Sequence, residues 1–378
     1  MMFEWVIIGG GVHGCSVATR LLLQEKTRKE DVVIIDPHDH PMEKWKTLTS
    51  KVGMKYLRSS SVHHLHPDPY NLRKYKKQKE YTKGFVGRYD RPMLEMFNNH
   101  CEDMFHAVDL KSCWEKGKVR GLWKLNDVWK IQLDDGEEMI AENVVLAVGA
   151  TEYPSIPAWA EGLKRKPVHV FSHDTFQKEG EVAVIGGGMS AVHLAASLAE
   201  TSEKPVHLIK RHPFRIKDFD SDPGWLGPKY LNKFNESTCY IKRRDMIRHA
   251  RNKGSITRDL HIKANRLEKK KMLTVHTGEI EKVEDKGMEI QLSLDCCTIE
   301  VNECIFATGS EQKLPLWLKE TICQADLPCA PCGFPIPDKN LAWASGLFVT
   351  GPLAELEIGP AARNIAGARK VAERISAL

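Results

Sequence analysis

A strand-like apolar run, Trp5 to Ile8, leads into Gly9, Gly11 and Gly14, and Cys15 to Gln24 then reads as a helix with the small residues Ser16 and Ala18 near its start. A second apolar run, Val32 to Ile35, ends in Asp36. The same pattern returns far downstream: Val182 to Ile185 is a strand, Gly186, Gly188 and Ala191 supply the turn, and Ala191 to Leu198 continues as a small-residue helix. Three more buried-strand patterns close on glycine, at Gly149 in "NVVLAVGA", Gly309 in "ECIFATGS" and Gly351 in "GLFVTG". Strands alternating with helices, twice over, predict an α/β fold of two Rossmann-like, doubly wound units.

The two glycine patterns have a shared physical reading. The first glycine makes a tight turn, the second lets backbone approach a pyrophosphate, and the third position lets helix and strand pack, while the helix start offers free amides and its positive dipole end. Cofactor-binding residues are therefore expected at Gly9, Gly11, His13 and Gly14 in the first copy and at Gly186, Gly188, Ser190 and Ala191 in the second. The copies part company one strand later. Asp36 can accept hydrogen bonds from a ribose and repels phosphate, whereas "PVHLI" runs into Lys210, Arg211 and His212, with Arg215 close behind, which suits the 2′-phosphate of NADP. The first copy reads as a site for FAD and the second for NADPH; the alternative for the bases is a solvated strand end.

Overall composition narrows the classes. The 378 residues suffice for two cores, and a net charge of +5, from 55 basic and 50 acidic residues, is spread too widely to require nucleic acid. The basic stretches near residues 71 to 81 and 241 to 271 are interleaved with few aromatic residues and read as solvated helical faces, with some bases of the second free to assist the cofactor phosphates. Apolar runs of about four to six residues are far too short to span a bilayer, and no charged-then-apolar leader precedes the first strand, so a cytoplasmic protein without membrane contact is expected. Ten cysteines scattered among apolar neighbours read as reduced thiols. Among them Cys329 and Cys332 form a CxxC, Cys15 stands alone, and Cys296 and Cys297 are adjacent in a strand-like run; no second pair or histidine couple points to a metal.

The ordered set "GGGVHG", "LAVGA", "GGGMSA", "HLIKRHPFR", "FATGS" and "GLFVTG" resembles the two-dinucleotide-binding-domain flavoproteins, the superfamily of thioredoxin reductase, the flavin monooxygenases and the lysine and ornithine N-hydroxylases, over nearly the whole chain. "HLIKRHPFR" is similar to the NADPH segment of thioredoxin reductase and implies that Arg211 and Arg215 recognise the 2′-phosphate. The layout implies an FAD domain at residues 1–165, an NADPH domain at 166–299 and a second FAD part at 300–378, with the chain crossings at Gly149, Pro154 and Pro157 and at Gly309. "VFSHDTF", with Ser172 then His173, takes the place of the His-Ser segment of flavin monooxygenases in reversed order. "VGMKYLRSSSVHHLHPDP" is similar to the N-hydroxylase segment lining the flavin and substrate cavity, which makes Lys55, Arg58, His63 and His64 the flavin-face or substrate candidates, with His66 nearby. "RPMLEMFNNHC" resembles the proline-started helix of the same enzymes.

The resemblance breaks at one point. The last strand of these proteins ends Gly-Asp, the aspartate holding the ribityl chain; here Pro352 follows Gly351, so that contact is lost unless Glu355 or Glu357 replaces it. The helix after it is expected from Pro360 onward. "CAPC" sits neither inside the second unit nor on the first helix, the two places where reductases of this superfamily carry their disulfide. The expectation is an NADPH-dependent monooxygenase acting through a hydroperoxyflavin on a small amine or sulfur nucleophile, with oxygen as co-substrate, and possible assembly as a homo-oligomer. Reduction of a quinone or disulfide, and a low-turnover dinucleotide-binding regulator, stay open as alternatives.

Overall fold

A computed structural model describes residues 2–164, 166–172, 174, 176, 180–295 and 297–378. His173 and Cys296 lie outside the described residues. The elements that position the site are β1 (Met2–Ile8), α1 (Val12–Leu23), β2 (Val32–Asp36), β3 (Glu138–Leu146), β4 (Val182–Ile185), α2 (Met189–Thr201), β5 (Val206–Lys210), β6 (Leu273–Thr277), β7 (Glu303–Phe306), β8 (Leu347–Val349) and α3 (Ile365–Ile375).

Two sheets carry them. The first has the order Ala342–Ala344, β8, β3, β1, β2, Trp114–Lys116, and the antiparallel hairpin Val119–Leu125/Val128–Leu133 joins it at β3. Ile8 pairs with both Ile35 and Leu146, and Val349 also reaches Leu146, so the ends of four parallel strands meet at one level. Such strands are covered on both faces, which is why Val6, Ile7, Val144, Val145 and Leu146 have no solvent exposure. The helix α1 packs against α3 on one face. The second sheet has the all-parallel order β6, β5, β4, β7, Val168–His169, with Ile185 opposite both Ile209 and Phe306. An antiparallel meander, Ile280–Asp285, Ile290–Leu294 and Thr298–Val301, closes one face of it through Leu292 and Val301. This is the doubly wound α/β architecture read from the sequence.

Between the sheets the chain crosses twice, and the two crossings pair. Ser155 donates to Gly309 O at 3.0 Å, Glu311 to Tyr153 O at 2.8 Å, and Pro154 bridges Ser310 antiparallel. Because β7 hydrogen-bonds to β4, it belongs to the second sheet, and the chain leaves that sheet after Phe306. The segment Val52–Arg58 also bridges the units: Val52 is buried in the second core, and a Cβ on Gly53 would meet Ser197 of α2 at 2.6 Å.

Two local readings differ. Pro360–Arg363 is a single 3-10 turn after Gly359, and α3 begins only at Ile365. Asn364 is extended and its side chain accepts from Gly367 N at 3.0 Å, so an N-cap interrupts the expected continuous helix. Cys297 lies between the strands Ile290–Leu294 and Thr298–Val301, not within one.

Candidate functional site

The three glycines of the first turn do three different things. Gly9 holds φ +110° and a Cβ there would sit 2.4 Å from Ala147 O, so a side chain is barred both by conformation and by the neighbouring strand end. A Cβ on Gly14 would lie 1.8 Å from Gly9 O, which lets α1 rest directly on the end of β1. A Cβ on Gly11 would meet nothing within 4 Å. Gly11 therefore lines open space in front of the first-turn amides of α1, which have no partner inside the helix.

Asp36 is shared. Its Oδ2 accepts from Gly10 N at 2.7 Å, and its Oδ1 accepts from His38 N at 2.9 Å and faces the His38 ring nitrogen at 2.7 Å. A carboxylate has about four acceptor sites, so capacity for a ribose hydroxyl remains. Trp114 was not anticipated: a Cβ on Gly10 would run into its ring at 2.0 Å, and its Nε1 donates to His38 O at 2.9 Å, so an indole walls the turn. His13 Nδ1 lies 2.9 Å from Thr350 Oγ1, tying the first turn of α1 to the end of β8. Burial pushes its basicity down to about 4, against a smaller opposing effect of the Arg363 backbone, so the ring is neutral at physiological pH. Gly351 faces that ring at 3.7 Å from its own would-be Cβ.

Pro352 is buried in the turn Gly351–Ala354, and the glutamates beyond it are already engaged. Glu355, with no exposure at all, meets Arg244 Nη1 at 2.8 Å, Arg363 Nε at 2.6 Å and Nη2 at 2.8 Å, and Arg251 Nη1 at 3.6 Å. Glu357 meets Arg374 at 2.9 Å and Arg243 at 3.6 Å. Both carboxylates are thus held by arginines. Arg244 extends the network, its guanidinium 4.7 Å from the Phe334 ring centre and its Nε donating to Cys332 Sγ at 3.4 Å. Cys332 is exposed in a tight turn closed by Ala330 and Phe334, and burial raises the Cys329 thiol. A cavity lined by Val148, Gly149, Gln312, Phe334, Pro352 and Arg363 joins this region to the crossings. A wider depression around Glu4, Lys26 and Ala107 lies at the other end of α1 and holds none of the candidate residues.

At the second turn, a Cβ on Gly186 would lie 2.5 Å from Ala307 O, and Ala191 is fully buried, repeating the strand and helix contacts of the first. Gly188 precedes α2, Ser190 stands in its first turn, and the nearest atom to a Cβ on Gly188 is Gly254 Cα at 3.6 Å. The loop carrying Lys253 and Gly254 thus overhangs this cradle, a contact with no sequence signal beyond a Lys-Gly pair in a basic stretch. Lys210 does not face solvent. It is 5% exposed, donates to Thr277 Oγ1 and to His212 O, and lies over the Phe214 ring. Burial lowers its basicity. Arg211 and Arg215 are exposed, and Gly309 sits at the returning crossing with φ +88°.

The segment read as a cavity lining divides in two. Lys55 is exposed. Arg58 is a clamp between units, donating to Lys217 O and Phe219 O, each at 2.8 Å, to Asp218 O at 3.2 Å and to Ser255 Oγ at 2.8 Å. His64 is fully buried, its Nε2 3.1 Å from Pro69 O and its ring 5.2 Å from that of His100 and 6.5 Å from that of His66. Arg369 donates to the carbonyls of His66 and Pro67. Burial first, then neighbouring positive charge, brings His64 to about 3, and His63 and His100 to about 4. The rings of His64, His66 and His100 pack against one another, and those of His64 and His100 stay neutral near neutral pH.

That cluster sets an acid limit. Each ring binds protons less readily folded than at its ordinary 6.5, so the unfolded chain takes up more protons as pH falls below that value. The stabilisation is complete above pH 6.5 and drains away toward pH 4 and below. The unfolding free energy should drop by about 1.4 kcal/mol per pH unit for each such histidine in that window. Urea unfolding near pH 7 and pH 5 checks this: His64→Asn should flatten the slope, and an unaltered slope would contradict the assignment.

Comparison with known proteins fits this geometry. A family model described as pyridine nucleotide-disulphide oxidoreductase matches residues 3–234, more than half of the chain, and the protein belongs to that family. It is an oxidoreductase. The chain is similar to the uncharacterized oxidoreductase CzcO of Bacillus velezensis, at 23% identity over 335 residues that cover 84% of each chain. Among solved structures it resembles the ornithine hydroxylase of Pseudomonas aeruginosa (TM-score 0.78, 18% identity, 100% and 98% coverage). It also resembles the FAD-bound cadaverine monooxygenase of desferrioxamine biosynthesis from Erwinia amylovora (TM-score 0.77, 16% identity, 99% and 94% coverage). A bacillithiol disulfide reductase of Bacillus cereus superposes with a TM-score of 0.59 at 17% identity, over 99% of this chain and 100% of that one. The two-dinucleotide flavoprotein fold expected from the motifs is the fold these likenesses share.

Among the described residues, no group of three or more His, Cys, Asp or Glu is placed to hold a metal ion, and no helix is long and apolar enough to cross a membrane.

Proposed function

We propose that the protein is an NADPH-dependent FAD monooxygenase that oxygenates a small amine or sulfur nucleophile. One observation carries this reading: two glycine cradles, one open at Gly11 and answered by Asp36, the other answered by the exposed Arg211 and Arg215, stand at the ends of parallel strands in two sheets whose connecting segments pair. The open space at Gly11 and the first-turn amides of α1, which no side chain caps among the described residues, fit the pyrophosphate of FAD, with Gly9, Gly14, His13, Asp36, Gly149 and Gly351 around it. Gly186, Gly188, Ser190, Ala191, Arg211 and Arg215 would hold NADPH in the second unit, with Gly309 at the returning crossing. Lys210 would act there from behind, by holding the strand end through Thr277. FAD supplies the chemistry when bound, accepting hydride from NADPH and passing electrons to oxygen.

The domain division follows: an FAD unit from residues 1–165 resumed after β7, with the NADPH unit between. Oxygen is favoured over a disulfide as acceptor because Cys15, the cysteine of α1, is buried, donates its S–H to Gly10 O at 3.1 Å, and has its thiol pushed up by burial. The likeness to an ornithine hydroxylase and a cadaverine monooxygenase supports an amine as substrate.

The test is reconstitution with FAD, anaerobic reduction by NADPH, and mixing with oxygen and candidate amines. Equimolar consumption of NADPH and oxygen with an oxygenated amine as product is the expected result. Rapid anaerobic transfer to a quinone or disulfide would turn the assignment to a reductase. A chain that takes up neither FAD nor NADPH would end it. Gly11→Ala should fold like the parent, since its Cβ meets nothing, yet lose the yellow colour.

A further inference from the structure

Four side chains stand in line on the meander-covered face of the second sheet. His207 lies in β5 and His276 in β6, and the register sets His276 opposite Ile209, so both imidazoles emerge on the same face. Their rings stack with centroids 5.2 Å apart, and His207 Nδ1 is 3.0 Å from His276 Nε2. On one side His207 Nε2 faces Glu181 Oε2 at 3.6 Å. On the other, His276 Nδ1 faces Cys297 Sγ at 3.7 Å.

Hydrogen-bond chemistry gives the line a direction. An ionised carboxylate only accepts, so His207 carries its proton on Nε2 and accepts at Nδ1. His276 must then carry its proton on Nε2, which leaves its Nδ1 as an acceptor for the Cys297 S–H. Burial lowers the basicity of both rings and keeps them uncharged near neutral pH, while Glu181 partly offsets this at His207. The result is a thiol whose proton has a place to go, with a second imidazole and a carboxylate behind it to share the positive charge.

We propose that Cys297 is a reactive thiol that reduces a hydroperoxide, with His276 as the base and His207 and Glu181 as positioning residues. Cys297 gives its proton to His276 Nδ1, and the thiolate attacks the nearer peroxide oxygen. The bond from sulfur to the terminal OH oxygen forms as the O–O bond breaks, and the departing hydroxide or alkoxide takes the proton from His276 and leaves as water or alcohol. Sulfur is oxidised to sulfenic acid and the peroxide is reduced, so the step needs no other reagent. Half-burial at a hairpin turn admits a molecule of that size more readily than a bulky disulfide. This site does not depend on the proposed oxygenation activity.

The experiment treats the full-length protein with dilute hydrogen peroxide and dimedone and reads adducts at each cysteine by tandem mass spectrometry. Cys297 should be labelled at least about tenfold faster than the exposed Cys239 and Cys323. His276→Gln should slow Cys297 by about tenfold or more and leave Cys323 unchanged. Glu181→Gln, at a partly exposed position, should slow it less and serves if the histidine variant does not fold. Because Cys296 adjoins it, Cys296→Ser should keep the label and Cys297→Ser should lose it. Labelling no faster than at Cys323, rates unmoved by both acid–base variants, or a label that follows Cys296 would each overturn the proposal.

Discussion

Replacing Glu355 with alanine should lower the unfolding free energy by about 3–5 kcal/mol, because removing one member of a buried ion cluster leaves the others unpaired in a medium that solvates them poorly. The carboxylate is wholly enclosed and neutralises Arg244, itself 4% exposed, together with Arg363 and Arg251. These arginines come from distant parts of the chain and converge on the turn after Gly351. Arg244 Nη2 has no partner among the described residues even with Glu355 present, whereas Arg251 also meets Asp220 at 3.2 Å, so the loss falls mainly on Arg244. Glu355→Gln keeps the shape and loses the charge and should fall between the two. Urea unfolding followed by tryptophan fluorescence measures this; a midpoint within experimental error of the parent would show that the cluster adds nothing to folding.

The second large effect concerns cofactor choice. Arg211→Ala should raise the KM for NADPH by about 10- to 100-fold, the worth of one or two charge-assisted hydrogen bonds to phosphate, and leave that for NADH nearly unchanged. Adding Arg215→Ala should remove what preference remains. Lys210→Met should act differently, weakening both nucleotides through the loosened strand end, since its ammonium is occupied by Thr277. Equal changes for NADPH and NADH in Arg211→Ala would refute phosphate selection by this strand end.

What could be read from sequence was what is decided locally. The turns at Gly9, Gly14 and Gly186 depend on a few consecutive residues and one neighbouring strand, so their spacing alone announces them. The acid after β2 and the bases after β5 were visible for the same reason. The partners of those bases were not. Arg58 and Lys210 looked equally available as charges, yet one reaches carbonyls about 160 positions away and the other a threonine 67 positions away. His13 and Thr350, 337 positions apart, have no common pattern. The histidines after Tyr56 were legible as a cluster, but not as a buried one, because His100 and Arg369 that enclose them come from other helices. Pro352 after Gly351 was visible in the sequence; that Glu355 is held by arginines could only emerge from the folded chain.

The paired crossings at Tyr153–Ser155 and Gly309–Glu311 bear on how the two units can move. Two extended segments held by two backbone hydrogen bonds and one isolated antiparallel bridge bend across their flat face more easily than they rotate about their length. Such a tether permits nodding and resists swivelling, so the two nucleotide-binding units would keep one orientation while the gap between them widens or narrows. The guanidinium of Arg58 spans that gap like a latch, and a wide opening would require it to let go of three carbonyls together.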